Sequence, residues 1–508
     1  MARDNGGIIG PANNPTSDSA SGVWDLPAQY QAISGGNWPP IPTIAANSLR
    51  FNDGSTDYLS RTPASASNRK TWTFSAWVKL ASSFTSDRII FGAGNDGDNQ
   101  TFINFQDTQG ILFSYELANV RYLINTSAVF RDVSAWYHIV LAVDTTQATD
   151  TNRVKLYING VQQTFNTVLN GFPPQNADTF VNNTSVHNVG YGSWNSFNPY
   201  DGYMSEVILV DGQQLEPTSF GQFNANGIWT PIPIGLSFGT NGFQLKFENS
   251  ASLGLDSSPN GNNWTVNNLT SIDQVTDTPT NNFATWNATD KNSTVTLSEG
   301  NTTISATEPE QCRATLGASS GKWYWEYRIN YTVEPLKPHA IGVCTNTGFP
   351  ATQNSPDWRT TEPFNSAWNN DTSANNIDTY VNGTRVSRLA SNLSYPDNGD
   401  IINVALDLDN GKIFFGKNGT YIQDGSGNTG NPSTGANPVY SFAVNDYFYF
   451  PAIVKRGSPD VPSIQANFGN PPFTIASGNS DANGYGNFEY APPSGHYALC
   501  TKNLAEFG

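Results

Sequence analysis

Two stretches set aromatic rings among amides and carboxylates in turn-rich surroundings. GYGSWNSFNPYDG (190–202) holds Trp194, Asn195, Tyr200 and Asp201, and PDWRTTEPFNSAWNND (356–371) holds Trp358, Trp368, Asn369 and Asp371. A ring can lie against the apolar face of a pyranose while amides and carboxylates meet its hydroxyls, so these eight residues are the candidates for carbohydrate binding. The competing reading of each Trp is a lid folded down over the end of its own fold.

Catalytic chemistry finds less support. Hydrolysis of a glycosidic bond needs two carboxyl groups about 5–9.5 Å apart, and the acidic clusters here read as turns instead. Asp407, Asp409 and Asn410 fall where a hairpin turn is expected, with a spacing unlike a calcium loop, and Asp96 and Asp98 in GNDGDNQ read as a solvated turn. Of the four histidines, His138 and His339 sit inside strand patterns, as structural residues and not general bases; the others are His187 and His496. No G-x-S-x-G, H-E-x-x-H or G-x-x-x-x-G-K-[ST] segment occurs. Cys312, Cys344 and Cys500 are isolated, against a disulfide framework or a thiolate metal site. No catalytic residue, metal or cofactor is assigned, and the chain reads as a non-enzyme.

The 508 residues carry a net charge of −17, from 25 Lys+Arg against 42 Asp+Glu. Without a basic stripe to neutralise a phosphate backbone, nucleic acid is not an expected partner. No apolar run approaches the roughly 20 residues that span a bilayer, and the N-terminus lacks the basic and apolar regions of a secretory signal. The expectation is a soluble protein made in a cytoplasm, without membrane insertion. Hydrophobic residues at 37% against 13% charged place the chain among folded proteins and not acidic disordered ones.

The elements that position these residues read as strands. In TWTFSAWVKL, Trp72, Phe74, Ala76, Val78 and Leu80 share one face and Thr73, Ser75, Trp77 and Lys79 the other, the pattern of a half-buried antiparallel strand. VKLYINGV alternates into Asn159-Gly160, a type I′ hairpin signal, and EVILVDGQQL offers a second such turn at Asp211-Gly212. GKWYWEYRI (321–329) sets Trp323, Trp325 and Tyr327 opposite Tyr324, Glu326 and Arg328, and GDIINVALDLDNGKIFFGKNG (399–419) sets Ile402, Val404, Leu406 and Leu408 on one face before Asn410-Gly411. The rings at 323–327 are framework residues in this reading, not a ligand platform.

SLRFNDGSTDYL, WTFSAWVK, WYHIVLAVD, VKLYINGV and GYMSEVILVDGQQL, in this order across about 190 residues, resemble laminin-G-like, concanavalin A-like jelly rolls. GKWYWEYRI, HAIGVCT, GDIINVALDLDNGKIFFGKNG, YFYFPAIVKRG and VPSIQANFGNPPF resemble the SPRY domain, another two-sheet sandwich. Concanavalin A-like glucanases usually carry E-x-D-x-x-E on one strand, a pattern this sequence lacks. The fold class is therefore all-β: two antiparallel β-sandwich (jelly-roll) domains in tandem after an extended N-terminal arm. The expected boundaries are a docking arm at 1–45, a laminin-G-like jelly roll at 46–235, a connector at 236–284 and a SPRY-like sandwich at 285–508.

Within the arm, Trp24, Leu26, Tyr30 and Trp38 are too apolar for a free tail, and either insert into a larger assembly or fold back on their own domain. The whole arrangement resembles virion proteins of tailed bacteriophages. That resemblance implies a tail fibre or a head decoration, located on the virion after assembly in the host cytoplasm and anchored by the arm. Its implied partners are other virion proteins (capsid, portal, tail or fibre subunits), host-surface glycans and further copies of itself as a homo-oligomer. The alternative is a purely architectural virion protein whose sandwiches bind neighbouring subunits.

Overall fold

The strand Thr71–Leu80 forms where the alternation places it, and Trp72, Phe74, Ala76, Val78 and Leu80 enter the core of the first sandwich. The computed structural model describes residues 44–81, 86–195, 199–305, 310–330, 339–345, 364–371, 374–382, 384–394, 396–455 and 463–508, together with residue 32. The arm residues Trp24, Leu26, Tyr30 and Trp38, and the loop residue Trp358, lie outside the described residues. Among the described residues the fold is nearly all β, with the helix Thr501–Phe507 near the end of the chain, and no helix is long and apolar enough to cross a membrane.

Two antiparallel sheets form the first sandwich. One runs Val161–Gln162, Val154–Ile158, Trp136–Asp144, Thr71–Leu80, Gly202–Asp211, Ser48–Phe51, Gln274–Val275, with Phe243–Leu245 also pairing on Gly202–Asp211. The other runs Phe165–Leu169, Val120–Thr126, Ile111–Leu117, Asn99–Phe105, Arg88–Asp96, Val186–Val189, Tyr58–Arg61, Thr265–Asn267. Residues 236–284, expected as a connector, thus contribute Phe243–Leu245, Thr265–Asn267 and Gln274–Val275 to these sheets.

Two further sheets form the second sandwich. One centres on His339–Thr345 between Tyr449–Lys455 and Phe364–Asp371; the other on Lys322–Asn330 between Ile401–Asp407 and Ser463–Asn467. Trp323, Trp325 and Tyr327 lie in its core with Ile402, Val404, Leu406 and Leu408, as their alternation requires.

Two local expectations change. The outer face of Thr71–Leu80 is buried as well: Thr73, Ser75, Trp77 and Lys79 are at most 4% exposed. A layer built on Phe220 and Phe238 covers part of that sheet, and segment 277–283 covers Lys79. Asn159-Gly160 adopts the left-handed pair (φ 49° and 80°) of a type I′ turn, but at Asp211-Gly212 only Gly212 does (φ 86°). No hairpin forms there because the Asp211 carboxylate accepts hydrogen bonds from the N–H groups of Asn68, Thr240 and Asn241, and the chain leaves the sheet.

The sandwiches meet across a polar seam. Lys79 Nζ donates to Asp277 Oδ2 (2.8 Å) and Asn282 Oδ1 (2.7 Å), with both charged side chains 1% exposed, while Trp136 Nε1 donates to Asp277 Oδ1 (3.0 Å). Arg50, fully buried, donates to the carbonyls of Ile272 (3.2 Å) and Pro471 (3.4 Å) and pairs with Asp273 (3.4 Å) and Glu299 (3.8 Å). Tyr203 Oη donates to the Gly300 carbonyl (2.6 Å), and Thr276 N–H to Asn470 Oδ1 (2.8 Å).

Removing one member of a buried ion pair strands the other, at a cost of about 3–5 kcal/mol. Lys79→Met is expected to destabilise the chain by that amount, and Lys79→Met/Asp277→Leu to restore most of it. Guanidinium unfolding followed by tryptophan fluorescence reads both, and an unchanged midpoint in the single variant contradicts the role given to the pair.

Candidate functional site

The structure separates the aromatic candidates instead of gathering them. Trp194, on a turn after Val186–Val189, is half-buried: its ring packs on Ile89, Phe102, Leu112 and Leu123, and its Nε1 donates to Gln100 Oε1 (2.8 Å). It is the lid the sequence allowed, with Asn195 exposed beside it over the Gly97 turn. Tyr200 is no platform: it is fully buried, edge-on to Phe51, with its hydroxyl donating to the Lys79 carbonyl (2.9 Å). Asp201 is buried next to it. Residues 364–371 form a strand and not a loop, which carries Trp368 into the second core at 0% exposure. The even spacing of Phe364 and Trp368, which puts both rings on one face of a strand, was the available signal. Asn369 and Asp371 lie on the same strand, and their side chains, like that of His339, lie outside the described residues.

The buried titratable groups are structural. Trp229 Nε1–H can only donate, so His138 Nδ1 accepts it (2.9 Å) and the ring proton sits on Nε2, donating to Ser75 Oγ (2.9 Å). Burial pushes this imidazole down to about 3, a neutral ring stacked on Trp77. Glu326 is pushed by burial up to about 7, a value suited to acid–base work. It is closed to any substrate: at 0% exposure it accepts from Tyr324 Oη (2.9 Å), Asn467 Nδ2 (3.0 Å) and the N–H groups of Glu489 (3.0 Å) and Tyr490 (2.8 Å). At the hairpin after Ile401–Asp407, Asp407 accepts from Asn410 N–H (3.0 Å) and pairs with Lys322 (3.1 Å). Asp96 accepts from Asp98 N–H (2.9 Å), and no group of acidic, His or Cys residues among the described residues could hold a metal ion.

Two hollows open at the seam, on either side of Ile272 and the Pro471–Pro472 pair. One, of about 460 Å³, is acidic: Asp57, Asp273 and Glu299 line it with Ser55, Thr270 and Thr303. Each carboxylate is held, Asp57 by Ser55 Oγ (2.7 Å), Asp273 by Thr270 N–H (2.8 Å) and Glu299 by Asn52 Nδ2 (2.7 Å). Burial pushes Asp57 up to about 6, with Asp273 and Glu299 adding repulsion. The other, of about 470 Å³, is lined by amides, hydroxyls and apolar side chains. Sequence reading missed both, because their walls come from segments hundreds of residues apart; only the polar texture of 268–276 hinted at them.

Packed antiparallel sheets whose neighbouring strands are out of chain order define jelly-roll sandwiches. Residues 53–216 match the family model described as the concanavalin A-like lectin/glucanases superfamily (Laminin_G_3). No curated protein matches the chain. Among solved structures it is similar to the SPRY domain of human HERC1, at 18% identity and a TM-score of 0.26, over 36% of this chain and 96% of that one. It is also similar to the native heptameric SAP-like pentraxin from Limulus polyphemus, at 13% identity and a TM-score of 0.26, over 34% of this chain and 80% of that one.

Because Glu326 titrates from an ordinary 4.5 when unfolded to about 7 when folded, the folded state keeps a proton that the unfolded chain has released across that window. Its contribution to stability is full below about 4.5 and falls as pH rises through 7. Unfolding titrations from pH 4.5 to 7.5 should show Glu326→Gln flattening this decline. The variant should also be about 1–3 kcal/mol less stable, since its amide nitrogen replaces an oxygen that accepts from two of the four donors. A slope equal to wild type contradicts the assignment.

Proposed function

We propose that the chain is a non-catalytic binding protein of a bacteriophage particle, a tail fibre or head decoration attached to other virion proteins through residues 1–45. Its sandwiches adhere to carbohydrate on the host surface. The observation that carries the adhesive role is the concanavalin A-like sandwich, matched over 53–216 to a family of lectins and glucanases, joined by a buried seam to a second sandwich with hollows open along the join. The virion setting rests on the order of sequence motifs and the apolar arm. Of the loop candidates on the first sandwich, the half-buried Trp194 and the exposed Asn195 keep some open surface, whereas Tyr200 and Asp201 do not.

The architectural reading gains from one observation: Tyr200 and Trp368 are buried, so two of the candidate rings present no face to a sugar. Glycan arrays of the full chain, with particle electron microscopy before and after deletion of residues 1–45, separate the readings. The adhesive reading expects glycan binding that survives the deletion while particle density disappears. No glycan binding, with density lost, leaves the architectural role; density retained without the arm contradicts the anchoring role.

A further inference from the structure

The neutral hollow at the seam has the chemistry of a sugar site. Asn47, Ser250, Gln274, Thr276 and Asn487 offer amides and hydroxyls, which donate and accept as sugar hydroxyls do. Ile272, Val275, Pro471, Phe473 and Ile475 supply apolar wall for C–H faces. No charged side chain lines it among the described residues. Its volume falls within the range of small-molecule sites, about 300–1,000 Å³, and its place between two domains is where such sites concentrate.

The walls are held in place by the seam itself. Arg50 ties the carbonyls of Ile272 and Pro471 together, fixing the ridge between the two hollows. Asn470 Oδ1 is occupied by Thr276 N–H (2.8 Å) and Oγ1 (3.0 Å), while its buried Nδ2 has no hydrogen-bond partner. That donor is closed off from the hollow, so Asn470 shapes the wall by holding Thr276 and does not itself meet a ligand there. Past the ridge, Asp57, Asp273 and Glu299 outnumber Arg50, so the neighbouring hollow repels anions.

We propose that this hollow binds a neutral saccharide and discriminates against acidic sugars. The inference rests on the adhesive reading and locates it at the join of the two sandwiches, away from the Trp194 loop. Neither sandwich alone contains the site, since Thr276 and Gln274 come from one side and Asn470, Phe473 and Asn487 from the other.

Saturation-transfer NMR and calorimetric titration of the full chain with glucose, galactose, mannose, N-acetylglucosamine, maltose and lactose test it, with glucuronate and sialyllactose as acidic counterparts. At least one neutral sugar is expected to bind, and to bind at least about tenfold more tightly than its acidic counterpart. Asn487→Ala, at an exposed position, and Thr474→Trp, which fills the mouth, should each weaken binding at least about tenfold. Neutral-sugar binding that is unchanged in Asn487→Ala and Thr474→Trp but lost in Trp194→Ala overturns the seam site and leaves the adhesive reading standing. Preference for glucuronate overturns the ligand class, and absence of binding to every neutral sugar overturns both the site and the reading it rests on.

Discussion

Lys79 and Arg50 do what a strand's cations do not ordinarily do: they point away from water into a join between two folds. Their partners are Asp277 for Lys79, and Asp273, Glu299 and two backbone carbonyls for Arg50. Desolvating such groups is costly unless every charge and donor is met, so the pairing dictates that segment 271–284 and residues 299–301 and 470–471 assemble in one geometry. An apolar interface would tolerate sliding; fixed hydrogen bonds from Tyr203, Thr276 and Asn282 do not.

The central strands of both sandwiches are buried on both faces. Around Thr71–Leu80 the outer cover comes from Phe220, Phe238 and segment 277–283. Around Lys322–Asn330 it comes from Phe283, Phe488 and Ala498, which pack with Tyr324 in a second small core. Glu326 sits within this cover and gathers Asn467, Glu489 and Tyr490 by their donors. A carboxylate buried there orders the loops laid over the sheet.

What the sequence disclosed is what local periodicity encodes. Trp72 to Leu80 and Trp323 to Tyr327 alternate because one face of each strand meets the opposing sheet, and Asn159-Gly160 adopts the only backbone pair that closes its hairpin without strain. The destination of the second face was not legible, because it depends on segments 200 residues away. Tyr200 looked like a loop ring until the Lys79 carbonyl captured its hydroxyl. Trp368 looked like one until Phe364–Asp371 paired with His339–Thr345. The seam hollows belong to this non-local class entirely: Asn470 and Thr276 are unremarkable polar residues until 194 positions of chain are closed between them.

The strand Tyr497–Ala498 lies parallel to Trp323–Tyr324, and just beyond it Thr501 N–H donates to the Asn282 carbonyl while Asn282 N–H donates to Thr501 Oγ1, at the seam. During synthesis, residues 48–275 hold all the strands of the first sandwich, yet Lys79 waits for Asp277 and Asn282, Arg50 for Glu299 and Pro471, and the small core around Tyr324 for Phe488 and Ala498, all of which emerge after those strands. The first sandwich therefore has all its strands before the seam can close, and docking completes a fold that is already laid down.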